Sequence, residues 1–284
     1  MYRSFPDGLF AITGRRTSSC SIYDLFKSGG GNPVPVIAAT TAEELDLLAL
    51  FHAIPDTEHA MREVLRKGLL WDFADEASEE AALDRVMNDP WYKIGTVDGG
   101  LPTTVERAYA RFISDARMRC PNGDLAGAMA GGWVSAPDVK IYHFVLNQGP
   151  GPGEPLLGPL ALLWPGYSPV WSLHTWDMFL LAGLPGSIFG FPLHSWTEQD
   201  VTMSVRLQKA ITEFGAAGRV AAWDTGPAWS PSGYDCVGDR CGATMVFSPD
   251  GNVDSALDAR GVLGQSACAW HRENFGLWNT SLIN

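Results

Sequence analysis

Two side chains in this sequence are of types that proton-transfer chemistry uses. Glu44 follows a short apolar run, and His174 precedes another. A carboxylate that fixes the tautomer of an imidazole prepares it to take a proton from a hydroxyl nucleophile. That nucleophile is expected in a Gly-x-Ser-x-Gly turn, whose glycines permit a strained strand-to-helix elbow. No such pentapeptide occurs. The nearest, Gly264-Gln265-Ser266-Ala267-Cys268, ends in a cysteine and lies after His174, so Ser266 is read as a helix serine and no nucleophile is assigned. Each candidate also has a plainer reading. Thr41-x-x-Glu44 is itself a capping box, with Glu43 competing for the acid's role, and His174 is placed to cap the apolar run behind it. His143 sits in a strand-like run and reads as a core or surface histidine. His52, His59, His194 and His271 have no ligand-like partners, so neither a metal nor a cofactor is expected.

The five cysteines are Cys20, Cys120, Cys236, Cys241 and Cys268. Cys236 and Cys241 flank Val237-Gly238-Asp239-Arg240, a turn-forming tetrapeptide. They are either two free thiols or a short-loop disulfide formed in an oxidising compartment. Asn279-Thr280-Ser281 is a glycosylation sequon. Both features point to an extracellular or secretory location, although Met1-Tyr2-Arg3-Ser4-Phe5 shows no apolar leader. Trp164, Trp171, Trp176 and Trp196 are core residues or the wall of an aromatic cleft, with Trp171 and Trp176 the candidates for lining a substrate gorge.

The elements that must position these groups alternate between strand and helix. Residues 1–33 are loop-rich and end in a glycine run read as a linker. Val34-Pro35-Val36-Ile37-Ala38-Ala39 reads as a buried strand that runs into a capped helix start at Thr41, the α/β signature. Met61, Val64, Leu65 and Leu69 share one helical face, 75–88 is an acidic helix of exposed character, and Thr103 opens a third helix with Val105, Tyr109, Phe112 and Ile113 as its stripe. Residues 140–146 form the next strand. A Gly/Pro-punctuated apolar stretch over 156–195 suits a cleft lining. Thr197 begins a helix with Val201, Val205, Ile211 and Phe214 on one side, and 224–242 is an irregular loop holding the close cysteine pair. Thr244-Met245-Val246-Phe247 is a strand followed by a turn, and a Trp-containing helix closes the chain from about Gly264.

Composition frames this. The chain has 284 residues, 46% of them hydrophobic and 18% charged, enough for a large core and too apolar for disorder. Its net charge of −12 with no Lys/Arg stripe argues against nucleic acid as a partner, and no apolar run approaches a membrane span.

Taken in order, the segments resemble the C-terminal part of the type-B carboxylesterases, the cholinesterase-like family. The family's strand "vPvliG" followed by "dEg" corresponds to Pro35-Val36-Ile37-Ala38-Ala39-Thr40-Thr41-Ala42-Glu43-Glu44. Its "CP…la" and "vyyY.F" strand correspond to Cys120-Pro121, Leu125-Ala126 and 139–146. Its "HgxEl.fvFG" corresponds to His174-Thr175-Trp176-Asp177 through Gly183, and its "m..yW.nFAktG" to Met203 through Phe214 and Gly218, with Trp223 beyond. Its closing "C..W..F" is similar to Cys268, Trp270 and Phe275. The resemblance covers most of 5–275 and departs at Thr175, where the family has a small Gly and Trp176 follows here, at Asp177, which shortens the family's Glu, and at Gly218-Arg219-Val220, which replaces its "GdPN" run.

The resemblance implies a 1–284 unit that is the C-terminal portion of an α/β-hydrolase fold, a partial sheet with helices on both faces. It implies Glu44 as triad acid and His174 as triad histidine, in the order that fold uses. It also implies a Cys120–Cys268 disulfide, which would close a loop of about 150 residues and contribute about 4–5 kcal/mol. The activity implied is hydrolysis of small-molecule carboxylic esters through an acyl-enzyme, with the chain packed against an N-terminal half that carries the serine. Alone, the chain is expected to be inactive. The alternative is a catalytically inactive cholinesterase-like binding or adhesion module, or a truncated gene product.

Overall fold

A computed structural model describes residues 22–42, 56–68, 75–89, 92–98, 101–133, 135–136, 138–147, 149, 176–183, 187–188, 191–192, 196–221, 245–247 and 253–254. In chain order the helices are α1 (Ile22–Lys27), α2 (Glu58–Gly68), α3 (Glu76–Asn88), α4 (Val105–Ser114), α5 (Cys120–Gly132), α6 (Trp176–Ala182) and α7 (Glu198–Ala217), with a π-helical turn (Asp115–Arg119) joining α4 to α5. The strands are β1 (Val36–Thr41), β2 (Val97–Asp98), β3 (Leu101–Pro102), β4 (Ile141–Leu146), β5 (Ser187–Ile188), β6 (Phe191–Pro192), β7 (Met245–Phe247) and β8 (Val253–Asp254).

The sheet is ordered β1-β4-β7-β8. β1 and β4 run parallel over six residue pairs, from Val36 opposite Ile141 to Thr41 opposite Leu146. β7 continues the parallel set beside β4, and β8 turns back antiparallel to β7. β1 starts two residues later than the apolar run suggests, because Pro35 has no N–H for a ladder, and it extends through the β-branched Thr40 and Thr41. All six residues of β4 are buried, as expected for a strand covered on both faces.

Alternation along β4 shows what covers it. Tyr142 packs edge-on against Phe214 of α7, centroids 6.0 Å apart, and its hydroxyl accepts from the Val220 N–H at 3.1 Å. His143 points the opposite way, with its ring against Gly123 of α5. Phe144 and Leu146 join Trp176, Leu180, Met203 and Leu207 in the larger core, while Val145 belongs to a second core with Met61, Leu65, Leu83, Val86 and Phe112.

Several local expectations shift. Residues 22–27 of the loop-rich segment are helical, and the glycine run is more than a linker. Its backbone docks on the end of α5, where Trp133 Nε1 donates to the Gly30 carbonyl at 3.0 Å and the Trp133 ring packs edge-on against Phe26. The acidic helix α3 buries Ala82, Leu83, Val86 and Met87. Its carboxylates Glu79, Glu80 and Asp84 pair with Arg62 and Arg66 of α2. The cap of α4 is Thr104, whose hydroxyl accepts from the Arg107 N–H, whereas Thr103 is buried.

α7 starts at Thr197 as the sequence suggests, with Thr197 and Asp200 forming a capping box, but the buried face is Asp200, Met203, Ser204, Leu207 and Ala210. Val201 and Val205 are 49% and 60% exposed. The reason is polar. Ser204 Oγ and Gln208 Nε2 both donate to the Leu180 carbonyl of α6, at 2.6 and 3.3 Å, and those bonds turn the small-residue face inward.

A Cβ at Gly132 would overlap the Phe26 carbonyl, whereas one at Gly131 meets open space. Gly132→Ala should therefore cost about 2–3 kcal/mol by forcing backbone apart, measured by urea unfolding. Gly131→Ala should leave stability equal or slightly higher.

Candidate functional site

In a parallel sheet the carboxyl ends of the strands share one edge, where the connecting loops gather and ligands bind. Here that edge carries Thr40 and Thr41 at the end of β1 with Ala42 beyond, Leu146 at the end of β4 with Asn147 beyond, and Phe247 at the end of β7. Hydrogen bonds hold the three ends level. The Ala42 N–H donates to the Leu146 carbonyl and the Asn147 N–H to the Phe247 carbonyl, both at 2.9 Å. Thr40 and Thr41 are buried at this edge, and Thr40 Oγ1 makes no hydrogen bond among the described residues.

Glu44 comes three residues after the last residue of β1, and His174 two residues before the first of α6. Glu43, Glu44, His174, Trp171, Cys236, Cys241 and Cys268 all lie outside the described residues. The elements that flank the two catalytic candidates do meet, since α6 packs against β1. Trp176 is placed in the larger core, 1% exposed, with its ring tilted against Phe179 at 6.1 Å. Cys120 is wholly buried and is a disulfide cysteine; the residue it pairs with lies outside the described residues.

Behind the sheet, on the His143 side of β4, lies a buried polar group with little local sequence signature. Asp115 and Arg119 span the π-helical turn and pair at 2.5 Å, both almost fully buried. The Tyr92 hydroxyl donates to the other carboxylate oxygen of Asp115 at 2.6 Å. The turn is π because the Cys120 N–H reaches back five residues to the Asp115 carbonyl. Pro121, which has no N–H to give, follows at once. In sequence, Asp115 and Arg119 look like an exposed i, i+4 ion pair. The one available signal was a proline inside an otherwise continuous helical pattern.

Burial dominates the electrostatics here. The Tyr92 phenol is held well above its usual value by desolvation and then by the Asp115 charge. The His143 imidazole is lowered to about 3, first by burial and then by repulsion from Arg119. Both therefore stay neutral at ordinary pH, which suits a packed interior and not an exchanging acid or base. Among the described residues no three metal-ligating side chains converge, and no helix is long and apolar enough to cross a membrane.

No family model matches this chain, and a search of curated proteins finds no match either.

An unfolded histidine takes a proton near pH 6.5, whereas His143 in the folded protein does so only near 3. Between those values the unfolded state holds the extra proton. The contribution of neutral His143 is thus complete above about pH 6.5 and is lost as pH falls toward 3. His143→Gln should make stability less pH-dependent in that window, by up to about 1.4 kcal/mol per pH unit, in denaturant titrations at stepped pH.

Proposed function

We propose that this chain is the catalytic-acid and histidine portion of a carboxylic ester hydrolase of the type-B carboxylesterase kind. In this reading it is the C-terminal part of an α/β-hydrolase fold. One observation carries the proposal. The two strands that the resemblance singles out, one before Glu44 and one before the His174 segment, lie side by side and parallel over six residue pairs. Glu44 then follows the carboxyl end of β1, the edge where such folds bind ligands, and α6, which His174 precedes, packs on the same strand.

The chemistry is acyl transfer. A serine hydroxyl, contributed by a segment bearing Gly-x-Ser-x-Gly, attacks the ester carbonyl carbon as His174 takes its proton. The proton then passes to the departing alkoxide. Water attacks the acyl-serine with the same imidazole as base, and Glu44 holds the Nδ1–H throughout. Trp171 is assigned to the wall of the acyl pocket. Cys120–Cys268 and Cys236–Cys241 are assigned as disulfides, in keeping with an extracellular setting. The substrate is a small-molecule ester.

Purified alone, the chain should show no burst with p-nitrophenyl acetate and no covalent labelling by a fluorophosphonate. Joined behind a Gly-x-Ser-x-Gly half, it should gain both, and His174→Ala or Glu44→Gln should each lower kcat/KM by about a thousand-fold or more. Ester turnover by the chain alone at enzyme-like rates, unchanged in His174→Ala, would overturn the assignment.

A further inference from the structure

Among the described residues five large hydrophobic side chains are exposed: Leu25, Val34, Met178, Val201 and Val205. Only Val201 and Val205 stand one helical turn apart on a single face. α7 turns its core residues Met203, Leu207 and Ala210 the other way. One turn before Val201 comes Glu198, and one turn after Val205 comes Lys209, both exposed. The outer face of α7 therefore reads acid, valine, valine, base along the helix. A groove of about 540 Å³ runs on from Val205 along the same helix, lined also by Gln208, Lys209, Thr212, Glu213 and Ala216.

That order is self-complementary. Laid antiparallel on a second copy about a two-fold axis, the face sets each Glu198 opposite the partner's Lys209 and each Val201 opposite the partner's Val205. Parallel docking would instead oppose like charges at both ends, which repel. A two-fold axis makes every contact occur twice, so this short face supplies four valines and two ion pairs. At the shallow crossing common for paired helices, about 20°, the long side chains at both ends stay within reach of each other. The groove beside Val205 then receives the partner's Val201. A helix face of this length buries less than the about 1,200 Å² at which stable interfaces begin, so the association is weak and depends on concentration.

We propose that the outer face of α7 is a self-association surface, on which a second copy of this chain docks its own α7 antiparallel through Val201 and Val205, with Glu198 and Lys209 setting the direction. The proposal is independent of the ester-hydrolase reading and stands or falls separately from it.

Sedimentation velocity on the full chain tests this, over about a hundred-fold range of concentration reaching about 0.5 mM, in about 0.15 M salt to screen the −12 charge on each copy. The weight-average mass should rise with concentration from monomer toward dimer. Val205→Asp should weaken the association about ten-fold or more, with the thermal midpoint close to the parent's because the side chain is exposed. Glu198→Lys and Lys209→Glu should each weaken it about ten-fold, since each places like charges opposite one another at both ends. The double variant should associate as the parent does, and so should an equal mixture of the two single variants, which pair as a heterodimer. A monomer at every concentration overturns the proposal and leaves this face to a partner other than a second copy. So does a dimer that Val205→Asp leaves unchanged, or one in which the two charge reversals fail to rescue each other.

Discussion

The parallel pairing of β1 with β4 is the constraint on which the rest of this structure depends. β4 is buried along its whole length and is the only strand with a parallel neighbour on each side among the described residues. Its even-numbered side chains key into α6 and α7, and its odd-numbered ones into α5 and the second core. Because side chains alternate strictly, sliding β1 against β4 by one residue would exchange the two faces and expel Tyr142 and Phe144 from their partners. A fixed register also fixes where the carboxyl ends fall, and with them the edge from which residues 42–44 depart. The catalytic reading inherits its geometry from that ladder.

The polar group behind the sheet shows a different kind of constraint. Burying an Asp–Arg pair costs several kcal/mol in lost hydration per ion, returned only if the geometry is good and the spare hydrogen-bonding capacity is used. Here the second carboxylate oxygen takes the Tyr92 hydroxyl, and the π-helical turn sets Asp115 and Arg119 face to face. Burial, and after it repulsion from Arg119, keeps the His143 imidazole neutral. The cluster thus ties the α4–α5 junction to both Tyr92 and β4. It is a means of fixing one arrangement of helix on sheet, and its neutrality argues against a second catalytic centre there.

Much of this was legible in the sequence, for identifiable reasons. β1 stands out as an apolar run rich in branched residues, β4 as an aromatic and β-branched one, and Thr197 as the start of a helical pattern. Misreadings arose where large apolar side chains were weighed alone. Val201 and Val205 looked like the inner face of α7, but Ser204 and Gln208 bond to α6 and turn them outward. The docking of the glycine run on α5 joins Gly30 to Trp133, far apart in sequence, and no local pattern carries such a contact. Two-residue strands such as β5, β6 and β8 are too short to show a period. Glu44 and His174 were legible as chemistry and chain order, which periodicity cannot convert into a distance.

The central claim is that a carboxylate on this chain holds an imidazole on this chain. The most direct measurement is the low-field proton NMR signal of a histidine Nδ1–H bonded to a carboxylate, assigned to His174 by its loss in His174→Ala. The account predicts that Glu44→Gln removes the signal and Glu43→Gln leaves it. A spectrum without the signal, or one in which Glu43→Gln and not Glu44→Gln abolishes it, would contradict the account.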